Sequence, residues 1–270
     1  MWSSPCLRPS PTIAFQNKAV VYALLMRISA ETLQTIAANS KWLGAEVGVT
    51  AVLHPQGQAM THHPHVHCVV PGGGLSPDRS RWINCRSGCF LPVRVLSRLF
   101  RRLFLTALAG AFAQGELQFF NELTHLNYSN TFTSYLARTR SIEWVVYSKP
   151  PFGGPGQVLA YLGRYTHRVA IANSRIVHAD GDHVAFRWKD YRGNGRDREK
   201  IMRLHPNEFM RRFLLHVLPD GFHRMRHFGF LANCYRRDGS VAKNRLITER
   251  ALVIFSEIFD ERFQMASFSG

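Results

Sequence analysis

Hydrophobic positions along this chain alternate between two spacings, and the change of spacing marks out the elements. Over residues 29–45, Leu33, Ile36, Ala37 and Leu43 recur at helical intervals, with Ser29 or Glu31 near the start. Residues 47–53 are a short, β-branched run that predicts a strand. Residues 54–64 are polar, carry Gly57 and predict a turn or loop. Residues 65–70 alternate again until Pro71-Gly72-Gly73-Gly74 stops them, so the two strands predict an antiparallel hairpin. The strongest helical pattern covers residues 92–112, where Val95, Leu96, Leu99, Phe100, Leu103 and Leu108 share a face opposite Arg94, Arg98, Arg101 and Arg102.

Further along, residues 142–147 predict a strand, 149–156 a Pro/Gly-rich loop and 157–168 a helix. Strand patterns follow at 169–177, 183–189 and 200–204, and helical ones at 206–217 and 243–259. Residues 190–199 are rich in glycine and arginine and predict a mobile basic loop. Hairpin strands with helices between them define an α+β fold, in which a central antiparallel sheet is flanked by helices. The irregular, proline-containing stretch 1–14 is a lead-in, 15–233 the main domain and 234–270 a divergent, helical tail.

Charge changes the picture more than composition does. With 46% apolar and 19% charged residues the chain is an ordinary folding sequence, but 34 Lys plus Arg against 18 Asp plus Glu leave it at +16. A polyanion is the expected partner. The excess is largely arginine in clusters (Arg98, Arg101 and Arg102; Arg192, Arg196 and Arg198; Arg236 and Arg237), which suits phosphate contact and base stacking. A membrane does not fit, because the longest apolar run, 103–113, is too short to span one. The first residues lack the order of a secretory signal, so a cytoplasmic location is expected. Five scattered cysteines, Cys6, Cys68, Cys85, Cys89 and Cys234, agree with reduced thiols and lack zinc-finger spacing. No phosphate-binding Gly-Lys-Ser/Thr loop is present, which excludes an ATP-driven motor of that type.

Two short patterns carry candidate chemistry. On a strand, His65 and His67 point the same way while Val66 points to the opposite face, so two imidazoles share one rigid surface suited to a divalent cation. His62 and His63 read as loop residues. On a helix, Tyr161 and Tyr165 lie four apart on one face, with Arg164, His167 and Arg168 surrounding them with positive charge suited to DNA phosphates. Each pattern alone is commonplace; an isolated tyrosine pair of this kind is more often core packing. Together they describe a phosphodiester chemistry in which a phenol attacks and stays bonded to phosphorus, helped by a cation that polarises the phosphate.

His65-Val66-His67, continuing to Gly74, and Tyr161-Leu162-Gly163-Arg164-Tyr165-Thr166-His167-Arg168 resemble the two signatures of the rolling-circle, two-tyrosine HUH transposases of the insertion sequence 91 family. Stretches such as Glu143-Trp144-Val145-Val146-Tyr147, Phe186-Arg187-Trp188-Lys189-Asp190-Tyr191 and His216-Val217-Leu218-Pro219-Asp220-Gly221-Phe222 are similar as well, and the resemblance covers about residues 15–233. It implies an HUH endonuclease-like sheet carrying the histidines, a Mg²⁺ or Mn²⁺ ion held by His65 and His67, and Tyr161 and Tyr165 as nucleophiles forming a 5′-phosphotyrosine. By the same resemblance Gln58 supplies a third ligand, with His54 and His167 as alternatives. The implied partners are single-stranded DNA at element ends and host helicase and replication proteins. Two departures stand out: nothing resembles the family's cysteine-rich zinc-binding region, and Pro55-Gln56 replace its usual Thr-Trp pair. The competing readings are a catalytically inactive remnant that only binds DNA, and a replication initiator or relaxase with the same chemistry.

Overall fold

In this computed structural model the described residues are 13–85, 91–144, 146–148, 154–166, 170–189, 199–235 and 253–256. In chain order the elements are α1 (Ile13–Gln16), α2 (Lys18–Ala38), β1 (Val49–Gln56), β2 (His62–Val70), β3 (Gly73–Leu75), β4 (Trp82–Asn84), α3 (Val93–Ala113), α4 (Ser129–Ser141), β5 (Tyr147–Ser148), α5 (Pro155–Thr166), β6 (Ile176–Ala179), β7 (Val184–Lys189), β8 (Glu199–Leu204), α6 (Pro206–Leu214), β9 (Met225–Phe228) and β10 (Val253–Ser256). The fold is α+β, and every strand pairing among the described residues is antiparallel.

The β1–β2 hairpin is the centre of a five-stranded sheet ordered β5-β10-β2-β1-β9. Its register places Leu53 opposite Val66, Ala51 opposite Cys68 and His54 opposite His65. Because side chains alternate along a strand, this register sorts the hairpin into two faces. Val49, Ala51, Leu53, Val66, Cys68 and Val70 all enter the main core, against Leu25, Ile28 and Leu33 of α2 and Leu96, Phe100 and Phe104 of α3. Each such side chain, fully buried, contributes about 1.5–3 kcal/mol. Thr50, Val52, His54, His65, His67 and Val69 share the other face.

The helix expected over 29–45 is α2, displaced towards the N-terminus. Its first half was illegible because α2 is sandwiched between the sheet and α3. Val21, Tyr22, Leu24, Leu25 and Met26 are all buried, which erases the one-sided pattern. The chain leaves the helix at Asn39, whose backbone is extended, and turns at Gly44. The helix over 92–112 is α3. Trp144, expected in a strand, instead wedges its ring against Phe100 and Phe104, with centroids 5.5 and 5.6 Å away, and the strand is limited to β5.

A second sheet, the meander β6-β7-β8, packs with α6 around Phe186, Met202, Leu204, Phe209 and Phe213. It is fastened to the turn of the β1–β2 hairpin: Met60 buries its side chain in this second cluster, and the Arg175 guanidinium donates to the Gln58 carbonyl at 2.6 Å. Residues 170–175 precede β6 and are not strand, so the strand expected over 169–177 is confined to its end. The expected basic loop at 190–198 lies outside the described residues.

The expected helix over 243–259 is corrected at Val253–Ser256, which forms strand β10 between β2 and β5. A short run of β-branched and aromatic residues fits an inner strand of the sheet better than it starts a helix; the rest of that stretch lies outside the described residues. Helix α4 and strand β9 escaped the pattern reading altogether. No helix among the described residues is long and apolar enough to cross a membrane. Cys68 and Cys234 carry free thiols, and burial pushes the Cys68 thiol up to about 12.

Candidate functional site

The sheet face that does not meet α2 and α3 gathers three imidazoles. The pairing of β1 with β2 brings His54 directly opposite His65, and His67 lies two residues further along β2. The rings of His54 and His67 stack with centroids 3.9 Å apart and planes within 9°, and His65 sits 5.3 Å from His54 and 5.0 Å from His67. One ligand nitrogen from each lies within 4.8 Å of the other two, and all three residues are buried.

The electrostatics favour neutral rings. Burial first, and then His63, push His65 down to about 3, against the opposing effect of its bond to the His63 backbone. His54 is held well below its usual value by burial, then by His65 and Arg224. The His65 Nδ1 lies 2.9 Å from the His63 carbonyl, so that nitrogen carries the proton and Nε2 keeps its lone pair. The neutral imidazoles of His54 and His65, the latter with its tautomer fixed by a carbonyl, together with the adjacent His67 ring form a donor set that fits a divalent cation.

Helix α5 closes over this face. Val158, Tyr161 and Leu162 pack against Val69 of β2, and the Tyr161 hydroxyl forms a short hydrogen bond with His67 Nδ1. Tyr161 is only 5% exposed, yet its polar tip meets the histidine cluster and not hydrocarbon. The imidazole pair and the first phenol, 94 residues apart in sequence, thus meet in one place. Tyr165 and Arg164 belong to the last turn of α5, where the backbone alone is described. His167 and Arg168, expected within that helix, lie outside the described residues.

Gln58 does not join the cluster. It occupies the exposed hairpin turn, where its carbonyl accepts the Arg175 bond, and His54 takes the third position. The reason is register. The residue paired with His65 is His54, eleven positions earlier, whereas Gln58, seven positions earlier, falls in the turn that closes the hairpin. His62 and His63, read as loop residues, are the first residues of β2. His62 faces away from the cluster, bonding its Nε2 to the Tyr22 hydroxyl at 2.7 Å. Arg224, which precedes β9 and whose charge bears on His54, had no signal in the sequence.

Comparison with known proteins identifies the family. Residues 48–238 match the profile of a family described as "Putative transposase". The chain is 63% identical over 224 residues to the "Putative transposase y4qJ" of Sinorhizobium fredii (strain NBRC 101917 / NGR234), covering 83% of this chain and 56% of that protein. It is 27% identical over 220 residues to the "Transposase for insertion sequence element IS801" of Pseudomonas savastanoi pv. phaseolicola, covering 81% of this chain and 50% of the relative. The chain therefore spans about half the length of these two relatives. No solved structure matches it significantly. A sheet with three clustered histidines, a tyrosine helix laid over them and a match across most of the chain lead to one assignment: this chain belongs to the transposase family of insertion sequence elements related to IS801 and IS91.

Proposed function

We propose that the chain nicks and rejoins single-stranded DNA through a covalent tyrosine intermediate, in rolling-circle transposition. His54, His65 and His67 are the metal ligands in this reading, and Mg²⁺ or Mn²⁺ the cation; imidazole donors suit Mn²⁺ better. When bound, the cation supplies polarisation of the scissile phosphate and offsets the charge that grows on its oxygens.

The rest of the chemistry belongs to side chains. Tyr161 is the first nucleophile: its oxygen bonds to phosphorus, the P–O3′ bond breaks, and the departing 3′ oxygen takes up a proton to leave a free hydroxyl and a 5′-phosphotyrosine. An unperturbed phenol is mostly protonated at neutral pH, since its pKa is about 10. With Nε2 of His67 committed as a ligand, its Nδ1–H is left to donate to the phenol oxygen, which favours the phenolate. Tyr165, one helical turn further along α5, is the second nucleophile and allows a second strand transfer before the first product leaves. Arg164, His167 and Arg168 are proposed to hold the DNA phosphates. Residues 15–233 are the proposed catalytic domain, and element ends together with host helicase and replication proteins are the proposed partners.

The hydrogen bond between the Tyr161 hydroxyl and His67 carries this reading. Its test is incubation with a labelled single-stranded oligonucleotide bearing an element end, with and without Mn²⁺. A protein-linked band should appear only with metal, weaken in Y161F and vanish in Y161F/Y165F. An adduct that survives the double substitution or metal chelation would refute it. Salt-sensitive DNA binding without an adduct under any metal would fit the inactive remnant instead.

A further inference from the structure

The β6–β7 hairpin carries a second group of metal-binding side chains, on a different sheet from the three histidines described above. His178 is paired in β6 one residue before its end, Asp180 opens the turn and His183 leads into β7. His178 Nε2 lies 2.6 Å from one Asp180 carboxylate oxygen, and His183 Nδ1 lies 3.3 Å from the other. The two rings have centroids 5.0 Å apart. One ligand atom from each of the three residues falls within 4.8 Å of the others.

The backbone holds this group in place. The Asp180 carboxylate accepts the N–H groups of Asp182 and His183 at 2.9 and 2.7 Å, and the Asp180 N–H donates to the His183 carbonyl at 3.1 Å. The carboxylate thus has one fixed orientation, with an imidazole on either side. Around a zinc-sized ion with bonds of about 2.0–2.2 Å, neighbouring ligand atoms of a tetrahedron sit about 3.3 Å apart. The His183–Asp180 pair already has that spacing. His178 Nε2 stands against the other oxygen of the same carboxylate, so a chelating carboxylate, or a side-chain rotation that brings both imidazoles to one oxygen, completes the arrangement.

The geometry points to a surface site for a divalent transition metal, held by His178, Asp180 and His183. Two imidazoles and one carboxylate select Zn²⁺, Cu²⁺ or Ni²⁺ over Mg²⁺ or Ca²⁺, which prefer all-oxygen surroundings. Because the three residues lie at the surface, with side chains 54%, 40% and 34% exposed, water or an incoming anion can complete the coordination. A bound ion would clamp the two ends of the hairpin across its turn.

The test is equilibrium dialysis of the full chain against Zn²⁺, with metal counted per chain. H178Q/H183Q should bind one Zn²⁺ fewer than the parent, and D180N should weaken that site at least tenfold while its amide oxygen still caps the turn. The same loss of one equivalent should be seen when H178Q/H183Q is added to H65Q/H67Q, which separates this site from the one on the central sheet. Equal zinc content in the parent and H178Q/H183Q overturns the proposal and leaves a carboxylate that only braces a turn. Unchanged affinity in D180N overturns the three-ligand arrangement. A failure of H65Q/H67Q by itself to lose metal would count against the proposed strand-transfer site and not against this one.

Discussion

Lowering the pH from 7 to 5 should destabilise this protein through two histidines outside the candidate site. His62 is buried against Tyr22 and Phe15, and His216 is wholly inaccessible. Burial, then the charges of His216, Lys18 and His63, push His62 down to about 3. Burial also dominates at His216 and brings it to about 4, with Lys18 and Arg224 adding to the shift and the backbones of Met60 and Pro55 opposing it. Both folded-state values lie below the unfolded value, so the unfolded chain binds more protons in the window between them. Stability from these two groups is therefore complete above about pH 6.5 and is lost as the pH falls towards the folded values.

The size of the loss does not depend on the depth of either shift. With an unfolded pKa of about 6.5, any imidazole still neutral at pH 5 in the fold costs about 1.9 kcal/mol between pH 7 and 5. The pair together costs about 4 kcal/mol, a large fraction of the 5–15 kcal/mol of a typical domain. Asp78 and Glu208 titrate outside this window, because hydrogen bonds from Ser76 and Ser80 in one case and from Arg211 in the other hold each at about 2. The measurement is urea unfolding at pH 7, 6 and 5, on the parent and on H62Q, whose amide can still bond the Tyr22 hydroxyl but does not titrate. Near pH 5.5 the variant's stability should change less steeply by about 1.2 kcal/mol per pH unit, one proton's worth. The histidines of the central sheet contribute equally to both proteins and drop out of the difference. Equal slopes would show that His62 is already charged in the fold, and the reasoning would fail.

Two further outcomes test the register and the packing of the hairpin. H54A should weaken divalent-metal affinity by at least about tenfold, the scale seen when a metal site's supporting groups are lost, whereas Q58A should leave it unchanged in the same isothermal titration. G229A should destabilise the fold by more than about 3 kcal/mol in urea melts, since the residue has φ +62° and a Cβ would collide with the Val47 carbonyl; G110A, in the last turn of α3 with open space around it, should stabilise by about 0.5 kcal/mol.

Legibility followed exposure. Helix α3 and the tyrosine helix could be read because each leaves one side exposed, and burial on one side leaves a period in the sequence; the hairpin strands, buried on both faces, were legible instead as short β-branched runs bounded by polar and glycine-rich turns. The first half of α2 could not, because Tyr22, Leu25 and Met26 are enclosed on all sides. Trp144 misled for a related reason: within Ile142 to Tyr147 its apolar character is spent on a contact between Phe100 and Phe104, not on a strand. At the site, His65 and His67 were visible because both lie on one strand. The third position was not, because it depends on where the hairpin turns. That turn is set by Met60, buried in the other sheet's core with φ 57°, an interaction local spacing does not encode.

The division of the hairpin into two faces also explains why such chemistry belongs on a strand pair and not on a loop. Val66 and Cys68 are fully buried on the core side, and they alternate with His65 and His67 on the other. Any shift of β2 by one residue would expel the histidines from their cluster and at the same time force them into the apolar core, so the hydrophobic effect itself maintains the position of the imidazoles. The phenol is held differently. Tyr161 reaches the cluster from a separate helix, where it packs with Val158 and Leu162 against Val69. On the proposed mechanism this division separates two tasks: the main core fixes the strands that carry the proposed ligands, and a separate helix brings the proposed nucleophile to them.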